Sequence, residues 1–333
     1  MHRSFLPRRR AVAATAALCL AAGAALLPAS VRAQPAFPSR PITLIVPFAP
    51  GGIADVTARA VAEAMGQTLK QTVVVDNRPS AGSIVASQAV ASAKPDGHTL
   101  LLMSNGNAVS VGLFKKLPYD TLKDLQPIST LGFFDLGIVV PANSPFKTLP
   151  DLLRHAKANP GALKTGTIAV GSTQHLAAKL FETVAGVELL TVPYKGSPAV
   201  LMALRSGEIE VALEIVGPMM AQLKAGEIRA LATTASQRNA ALPDVPTVQQ
   251  AGLKGYDVSS WNAIAAPAGT PQPVIDALQR AIASAVADGG VRTRLEALGM
   301  RLQSSTPTQA RELLAKDIQR WGAVIKAAGI QPE

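Results

Sequence analysis

The chain has 333 residues, of which 48% are hydrophobic and 4% aromatic, and its formal net charge is +10. A nucleic-acid-binding protein is expected to carry a clustered basic stripe or stacking aromatic residues, and the sequence has neither, so that class of partner is excluded. The length is sufficient for two domains with sizeable cores.

Residues 1–33 have the composition of a secretion signal. Arg8–Arg10 form a basic segment, an uncharged Ala/Leu-rich run extends from Ala11 to Leu27, and Val31–Ala33 supply a cleavage-like site. A membrane anchor is the alternative, because 17 uncharged residues approach the roughly 20 that span a bilayer. The alanine content and the cleavage site favour export and removal. We therefore expect an exported protein, by either the general or the twin-arginine route.

Cleavage after Ala33 would change the chemistry of the chain. It would remove Cys19, the only cysteine, so disulfides and thiol catalysis are excluded for the mature protein. It would also remove five arginines from the 32 basic residues, which leaves 27 basic against 22 acidic residues and a net charge of +5. A mildly positive surface is compatible with small anionic ligands.

Short apolar segments alternate with amphipathic helices after residue 40, which predicts an α/β fold with largely parallel strands. Val61, Met65 and Leu69, for example, lie four residues apart, as on a helix that buries one stripe. Strands are predicted at 42–47, 72–76, 99–103, 137–140, 163–168, 209–215 and 228–233. Helices are predicted at 55–69, 82–93, 149–158, 173–185, 197–206, 218–225, 271–287, 290–298 and 307–328.

The first predicted strand ends in a Pro/Gly loop that leads into a helix. Exposed N–H groups and the positive end of the helix dipole meet at such a point, and together they bind anions. Paired glycines let the main chain approach a ligand without an intervening Cβ. The sequence therefore predicts a carboxylate-binding site here. It comprises Phe48, Pro50, Gly51, Gly52, Ile53, Ala54 and Asp55.

Asp55 has two interpretations at this site. It can be an ordinary N-cap with an ion pair to Arg59 at i+4. It can also hold water between its own carboxylate and that of a ligand, and the two roles can coexist. Likewise, Gly51 and Gly52 can form a tight turn, although their place between a strand and a helix favours ligand approach.

A second strand–turn–helix unit, 163–181, repeats the plan of the first. Its turn contains Gly171, Ser172 and Thr173, and His175 lies in the first turn of the helix. Ser172 or Thr173 can cap this helix and leave other N–H groups free. We expect the two helix starts to hold one ligand from opposite sides of a cleft.

Two further positions are candidates for the site. Ser104 and Asn105 follow strand 99–103 at its carboxyl end, where α/β proteins usually bind ligands, and a plain turn is the alternative. Glu214 lies on the face of strand 209–215 opposite its apolar residues. It could accept a ligand ammonium or hydroxyl group, or form a salt bridge at a hinge.

Catalysis, metals and cofactors are not supported. Ser172 and His175 lack an orienting acid and a nucleophile elbow, which disfavours a hydrolase. The mature histidines are scattered, without metal-ligand spacing or a cysteine partner. No Gly-x-Gly-x-x-Gly fingerprint or P-loop is present, so no nucleotide cofactor is expected.

Short motifs along the whole mature sequence establish a family resemblance. They are Phe37–Ile42, Val46–Gly52 with Asp55, Ala58 and Arg59, Val75–Pro79, Lys94–Gly97, Lys116–Asp120, Ser172–Leu176, Val192–Gly196, Ala241–Thr247, Ala266–Pro271 and Trp321–Gly322. In this set and order they resemble the Bug family, the extracytoplasmic receptors of tripartite tricarboxylate transporters.

The resemblance implies an α/β periplasmic-binding-protein fold of the two-lobed Venus flytrap type, with two crossovers between lobes. Lobe 1 would comprise 34–137 and 258–333, and lobe 2 would comprise 138–257. A small organic acid or amino acid would be held by the main chain around Ile53 and Ala54, with Asp55 holding water. Ser172, Thr173 and His175 would close from lobe 2. A monomer without a cofactor would deliver this ligand to the membrane subunits of the transporter.

Two departures from the family pattern leave the identity of the ligand open. Ile168–Val170 replaces a polar Gly/Asn-containing stretch, which would make the wall of the second loop more apolar. Glu214 replaces a common aspartate, so the extra methylene would shorten the cavity or alter its charge. A ligand sensor that engages a sensor kinase is a further alternative that the sequence does not separate from transport.

Overall fold

The structure of the protein is a computed structural model that describes His2, residues 37–168 and residues 170–332. The predicted signal segment, 1–33, lies outside the described residues except for His2. Within the described ranges, no helix combines the length and apolar character that crossing a membrane requires.

Ten strands are described. They are β1 (Ile42–Val46), β2 (Val73–Asn77), β3 (Thr99–Ser104), β4 (Leu125–Pro141), β5 (Lys164–Ile168), β6 (Leu190–Tyr194), β7 (Val211–Ile215), β8 (Ile228–Thr233), β9 (Ser259–Pro267) and β10 (Met300–Leu302).

The described helices lie between and after these strands. They are α1 (Ile53–Leu69), a 3₁₀ turn (Ala81–Ser83), α2 (Ile84–Ala91), α3 (Asn105–Leu113), α4 (Leu149–Ala158), α5 (Thr173–Ala185), α6 (Ser197–Ser206), α7 (Val216–Lys224), α8 (Gln272–Ala287), α9 (Gly289–Glu296) and α10 (Pro307–Ala327).

The strands form a mixed sheet in the order β2-β1-β3-β9-β4-β7-β5-β6, with β8 and β10 also paired to β4. Strands β1, β2 and β3 run parallel, as do β5, β6 and β7. All pairings of β4 and β9 are antiparallel. The expectation of a largely parallel sheet was therefore wrong, because two long antiparallel strands join the parallel groups.

Strand β4 changes partners along its length. It pairs with β9 up to Asp135, opposite Ser259, and with β7 from Leu136, opposite Ile215. The chain thus leaves the part of the sheet that contains β1, β2, β3 and β9 after residue 135, and it re-enters that part at residue 259. The predicted lobe boundaries, 137/138 and 257/258, lie within two residues of these positions and stay a prediction.

Successive apolar side chains of a strand point to opposite faces of the sheet, so cores form on both faces. In β1, Ile42, Leu44 and Val46 pack with α1 and α8 in one core, whereas Ile45 faces a second core. The second core extends to β7, where Val211 and Leu213 join it. A smaller third core is formed by residues of β4, β7, β8, α6 and α7, among them Val139, Val200 and Leu204. The burial of apolar side chains at this scale is the main source of the fold's stability.

Ten predicted elements are confirmed to within a residue at each end: 42–47, 72–76, 99–103, 149–158, 163–168, 173–185, 197–206, 228–233, 271–287 and 307–328. Strands β6, β9 and β10 and helix α3 were missed, and β4 was recognised only at 137–140. Pro193 lies within β6 and is tolerated because β6 is an edge strand.

Candidate ligand-binding site

The first loop connects β1 to α1 at the carboxyl end of the parallel strands. Phe48, Pro50, Gly51 and Gly52 are exposed, Ile53 is half-buried, and Ala54 is buried. Gly51 has φ of +83°, a conformation that favours glycine. Gly52 is the N-cap of α1 and has an extended backbone. The loop therefore presents its main chain to solvent at a helix N-terminus.

Asp55 is tied into this loop and is only 3% exposed. Its carboxylate accepts hydrogen bonds from the Gly51 N–H at 2.9 Å, Asn77 Nδ2 at 2.9 Å and Arg59 Nε at 3.1 Å. The expected ion pair with Arg59 is present at 3.0 Å. The expectation that Asp55 is the N-cap was wrong, because α1 begins two residues earlier and Asp55 lies in its first turn.

These contacts set the ionisation of Asp55. Desolvation by burial opposes the charged form, but the hydrogen bonds from Arg59, Gly51 and Asn77 together outweigh it and lower the pKa of Asp55. Asn77 also donates to the Phe48 carbonyl at 3.0 Å. The sequence analysis did not select Asn77 for the site, although it lies within the motif Val75–Pro79.

The backbone N–H groups at the start of α1 have no hydrogen-bond acceptor within the described parts of the chain. Among the described residues, no hydrogen bond occupies the backbone N–H of Gly52, Ile53, Ala54 or Asp55. The first N–H groups of a helix have no intrahelical acceptor, and their partial positive charge favours an anion. The Asp55 carboxylate accepts from Gly51, Arg59 and Asn77, so it does not cap the N–H groups of α1.

Ser104 and Asn105 form the start of α3, not a plain turn. Ser104 is the N-cap and accepts from the Gly106 N–H at 3.2 Å, while Asn107 Oδ1 accepts from the Ser104 N–H at 2.9 Å. Ser104 and Asn105 are both buried. This reciprocal capping fixes the direction in which Asn105 leaves the strand end.

The second loop connects β5 to α5 and is more buried than the first. Gly171, Thr173 and His175 are buried, and Ser172 is half-buried. Ser172 is the N-cap and accepts from the His175 N–H at 3.1 Å, which confirms the predicted cap. The Cβ of any residue replacing Gly171 would lie 2.3 Å from a side-chain carbon of Leu113, so the loop lies directly against α3.

His175 is neutral at physiological pH. Burial disfavours the imidazolium form and the Lys179 ammonium adds repulsion, which lowers the pKa of His175 from 6.5 to about 4. Its Nδ1 lies 3.4 Å from the Gly171 N–H and accepts from it, which places the ring proton on Nε2.

Ser172 and His175 are not arranged for nucleophilic catalysis. The Ser172 hydroxyl donates to the Ile168 carbonyl at 3.0 Å and accepts from the backbone N–H of His175, not from its ring. Activation of a serine requires a hydrogen bond from its hydroxyl to the imidazole.

The structure brings Asn105 and Thr173 into direct contact. Asn105 Nδ2 donates to Thr173 Oγ1 at 2.5 Å, and Asn105 Oδ1 accepts from the Ser260 hydroxyl at 2.9 Å. All three side chains are at least nine-tenths buried. No hydrogen bond among the described residues joins 48–55 to 171–175. Ser260 was missed because a serine at the start of a strand carries no distinctive signal.

The first loop also lies near α7. A Cβ at Gly217 would lie 2.5 Å from the Leu298 carbonyl oxygen and 3.9 Å from Ile53 Cδ1. Ile53 therefore lies beside Gly217, in the first turn of α7, which begins directly after β7. The first loop therefore lies near the carboxyl end of β7.

Glu214 is fully buried at the end of β7, with an exposure of 0%. One of its oxygens accepts from Gln174 Nε2 at 2.5 Å and from the Ile215 N–H at 2.7 Å. Among the described residues it forms no salt bridge, so the alternative of a hinge ion pair was wrong.

Two cavities lie away from these residues. One, of about 290 Å³, is lined by residues that include Leu223, Arg229 and Leu242, and the other, of about 410 Å³, by residues that include Lys123, Pro127 and Arg311. Within 37–168 and 170–332, no group of three His, Cys, Asp or Glu side chains is placed to hold a metal ion.

Comparison with known proteins agrees with the fold. A family model described as "Tripartite tricarboxylate transporter family receptor" (TctC) matches residues 57–330. BugT of Bordetella pertussis is 36% identical over 295 residues, which cover 88% of this chain and 90% of BugT. The structure of the periplasmic binding protein BugD is 31% identical, with a TM-score of 0.77 over 89% of this chain and 100% of BugD.

Two similar structures contain ligands. MatC from Rhodopseudomonas palustris with bound malate is 33% identical, with a TM-score of 0.75 over 87% of this chain and 100% of MatC. Rpa4515 of R. palustris with adipate is 32% identical, with a TM-score of 0.79 over 89% of this chain and 100% of that one. The chain therefore belongs to the tripartite tricarboxylate transporter receptor family, TctC, of which the Bug proteins are members.

Proposed function

We propose that this protein is a periplasmic receptor that binds a small organic carboxylate and delivers it to the membrane subunits of a tripartite tricarboxylate transporter. The observation that carries the proposal is the exposed first loop, whose helix N-terminus has free N–H groups. In a chain of this receptor family, such a group of donors suits a carboxylate.

The ligand would lie between two lobes, 34–137 with 258–333 and 138–257. The N–H groups around Ile53 and Ala54 would bind one carboxylate oxygen, and exposed Gly52 would permit the approach. Phe48, Pro50, Gly51 and Asp55 would shape that loop. Ser104, Asn105, Gly171, Ser172, Thr173, His175 and Glu214 would complete the site. Closure would exclude water and strengthen these hydrogen bonds.

The ligands bound to two relatives support the carboxylate class. Malate and adipate are both dicarboxylates, and MatC and Rpa4515 resemble this chain over almost their whole length. Asp55 is compatible with the same class, since its ion pair with Arg59 and its hydrogen bonds from Gly51 and Asn77 offset part of its repulsion of an anionic ligand. The protein would act as a monomer without a cofactor, after removal of 1–33.

A thermal-shift screen tests the proposal. The purified protein is melted in the presence of malate, adipate, citrate, aromatic acids and amino acids, and each acid is assayed for turnover. A ligand at 100 times its dissociation constant stabilises the folded state by about 2.7 kcal/mol, which gives a clear upward shift. The screen is repeated after denaturation and refolding, which removes any ligand retained from expression. An acid that is converted to a product, or no shift with any acid after refolding, would contradict the proposal.

A further inference from the structure

The two carboxyl oxygens of Glu214 have different surroundings. Oε1 accepts two hydrogen bonds, from Gln174 at 2.5 Å and from the Ile215 N–H at 2.7 Å. Oε2 has no hydrogen-bond partner among the described residues, although the whole side chain is buried. A buried polar atom without a partner is costly, so its retention calls for a physical reason.

The position of Glu214 places it at the edge where a ligand would be held. Strands β5, β6 and β7 are parallel, so their carboxyl ends share one edge, and α5, α6 and α7 begin there. Gln174, the partner of Glu214, lies between Thr173 and His175 in the first turn of α5. Ligands of open α/β sheets bind outside such strand ends.

The surroundings of Glu214 favour its neutral form. Among the described residues no Lys, Arg or His nitrogen pairs with it. Burial raises the pKa of Glu214, and the hydrogen bonds from Gln174 and the Ile215 N–H, together with the nearby Ser197 hydroxyl, offset this only in part. A neutral carboxyl group has one accepting oxygen and one O–H donor. Because Oε1 already accepts twice, the proton is placed on Oε2.

We propose that Glu214 is a neutral carboxylic-acid donor and that its Oε2–H group binds the second carboxylate of a ligand, so that the receptor selects dicarboxylates. The inference rests on the proposed function, in which the N–H groups of the first loop hold the first carboxylate. A hydrogen bond from O–H to a carboxylate is short and strong when water is excluded. A ligand ammonium at this point would require Glu214 to lose its proton, which burial opposes.

Ligands matched in length measure this selectivity. Isothermal titration compares succinate with butyrate and 4-aminobutyrate, and adipate with hexanoate and 6-aminohexanoate. Within each set only the terminal group changes. For the chain length that fits, we expect the dicarboxylate to bind at least about tenfold more tightly than either analogue, as loss of a charge-assisted hydrogen bond implies.

Two variants distinguish a role of Glu214 as hydrogen-bond donor to the ligand from a purely structural role. Glu214→Gln keeps one accepting oxygen and places an N–H donor where the O–H was, so it should keep the wild-type preference to within about threefold. Glu214→Leu has neither group and should lose the preference for the dicarboxylate. The melting temperature of each variant shows whether it is folded. If Glu214→Leu does not fold, the ligand series with the wild type and Glu214→Gln still shows whether the receptor prefers dicarboxylates and whether a donor at this position is sufficient.

The outcomes distinguish this inference from the function on which it rests. Equal binding of mono- and dicarboxylates by the wild type would overturn the role of Glu214 and leave the carboxylate receptor standing. Preference for the amino acid, abolished in Glu214→Gln, would show an ionised Glu214 and also overturn the inference. No binding of any acid would overturn both.

Discussion

The two helix starts of the candidate site have the same strand–glycine–helix plan but different states in the folded protein. At the first, Gly51 and Gly52 are exposed and Asp55 is bonded within its own loop, which leaves the N–H groups of α1 free. At the second, Thr173 and His175 are buried, and Thr173 already accepts a hydrogen bond from Asn105. We propose from this difference that the first loop receives the ligand and that the second closes over it.

The largest expected effect comes from the main chain of the first loop. In Gly52→Val the new Cβ would lie 3.7 Å from the Ala49 carbonyl oxygen, an ordinary contact, so the fold should be retained. The side chain would however occupy the approach to the free N–H groups. We expect carboxylate affinity to fall by at least about 100-fold, or roughly 2.7 kcal/mol, as measured by isothermal titration.

A matched control uses another glycine near a helix start. Gly289 begins α9 and is exposed, and a Cβ added to it would have no atom within 4 Å. Gly289→Val should therefore bind the same acid as the wild type does. Equal affinity of Gly52→Val and Gly289→Val would remove the first loop from the site.

Removal of the Asp55 carboxylate should damage the first loop from within. Asp55→Ala leaves the Gly51 N–H and Asn77 Nδ2 without their acceptor, which should lower the free energy of unfolding by about 1–3 kcal/mol. Urea denaturation measures the change. Asp76→Ala is the control, since Asp76 pairs with Arg78 at the surface and should change stability by less than about 0.5 kcal/mol. Equal effects would show that Asp55 does not organise the loop.

The buried His175 should make the second loop sensitive to acid. The unfolded chain binds a proton near pH 6.5, whereas the folded protein binds it only near pH 4. The unfolded state therefore holds more protons in this window, and stability falls as the pH decreases from 6.5 towards 4. His175→Gln should lack this part of the loss, which is on the order of 2 kcal/mol. Denaturation at pH 7 and pH 4.5 measures it.

The exposed His155 provides the control for that comparison. His155→Gln should keep the acid-dependent loss of the wild type. If His175→Gln lost as much stability on acidification as His155→Gln does, the second loop would not hold a buried neutral imidazole.

The smallest effect is expected at the hydrogen bond between Asn105 of α3 and Thr173 of α5. Thr173→Val removes the acceptor for Asn105 Nδ2 and should reduce carboxylate affinity by up to about tenfold, because closure then leaves a buried donor unpaired. It should also give a larger radius of gyration in the ligand-free protein by small-angle X-ray scattering. Thr173→Ser keeps the hydroxyl and should behave as the wild type does. Identical behaviour of both variants would show that this hydrogen bond affects neither carboxylate affinity nor the compactness of the protein.

Sequence patterns predicted the two helix starts because glycines, caps and apolar strands are local signals. The cap at Ser172 and the ion pair between Asp55 and Arg59 were both expected and are present. The bound-ligand roles of these residues stay predictions.

Features that depend on distant parts of the chain were not predictable in the same way. Strand β4 is buried almost continuously, so it lacks the alternation that marks a strand, and Pro127, Gly132 and Asp135 interrupt its apolar run. The contacts of Asn105 with Thr173 and Ser260 join residues 68 and 155 positions apart. No local pattern encodes such a pairing, because it arises only when the strands are assembled.

The most direct test of the account is a crystal structure of the protein with the acid that binds most tightly in the thermal-shift screen. We predict one carboxylate within hydrogen-bonding distance of the Ile53 and Ala54 N–H groups, directly or through a single water, with Asp55 still bonded to Gly51, Arg59 and Asn77. A ligand bound elsewhere, with those N–H groups facing bulk solvent, would contradict the central claim.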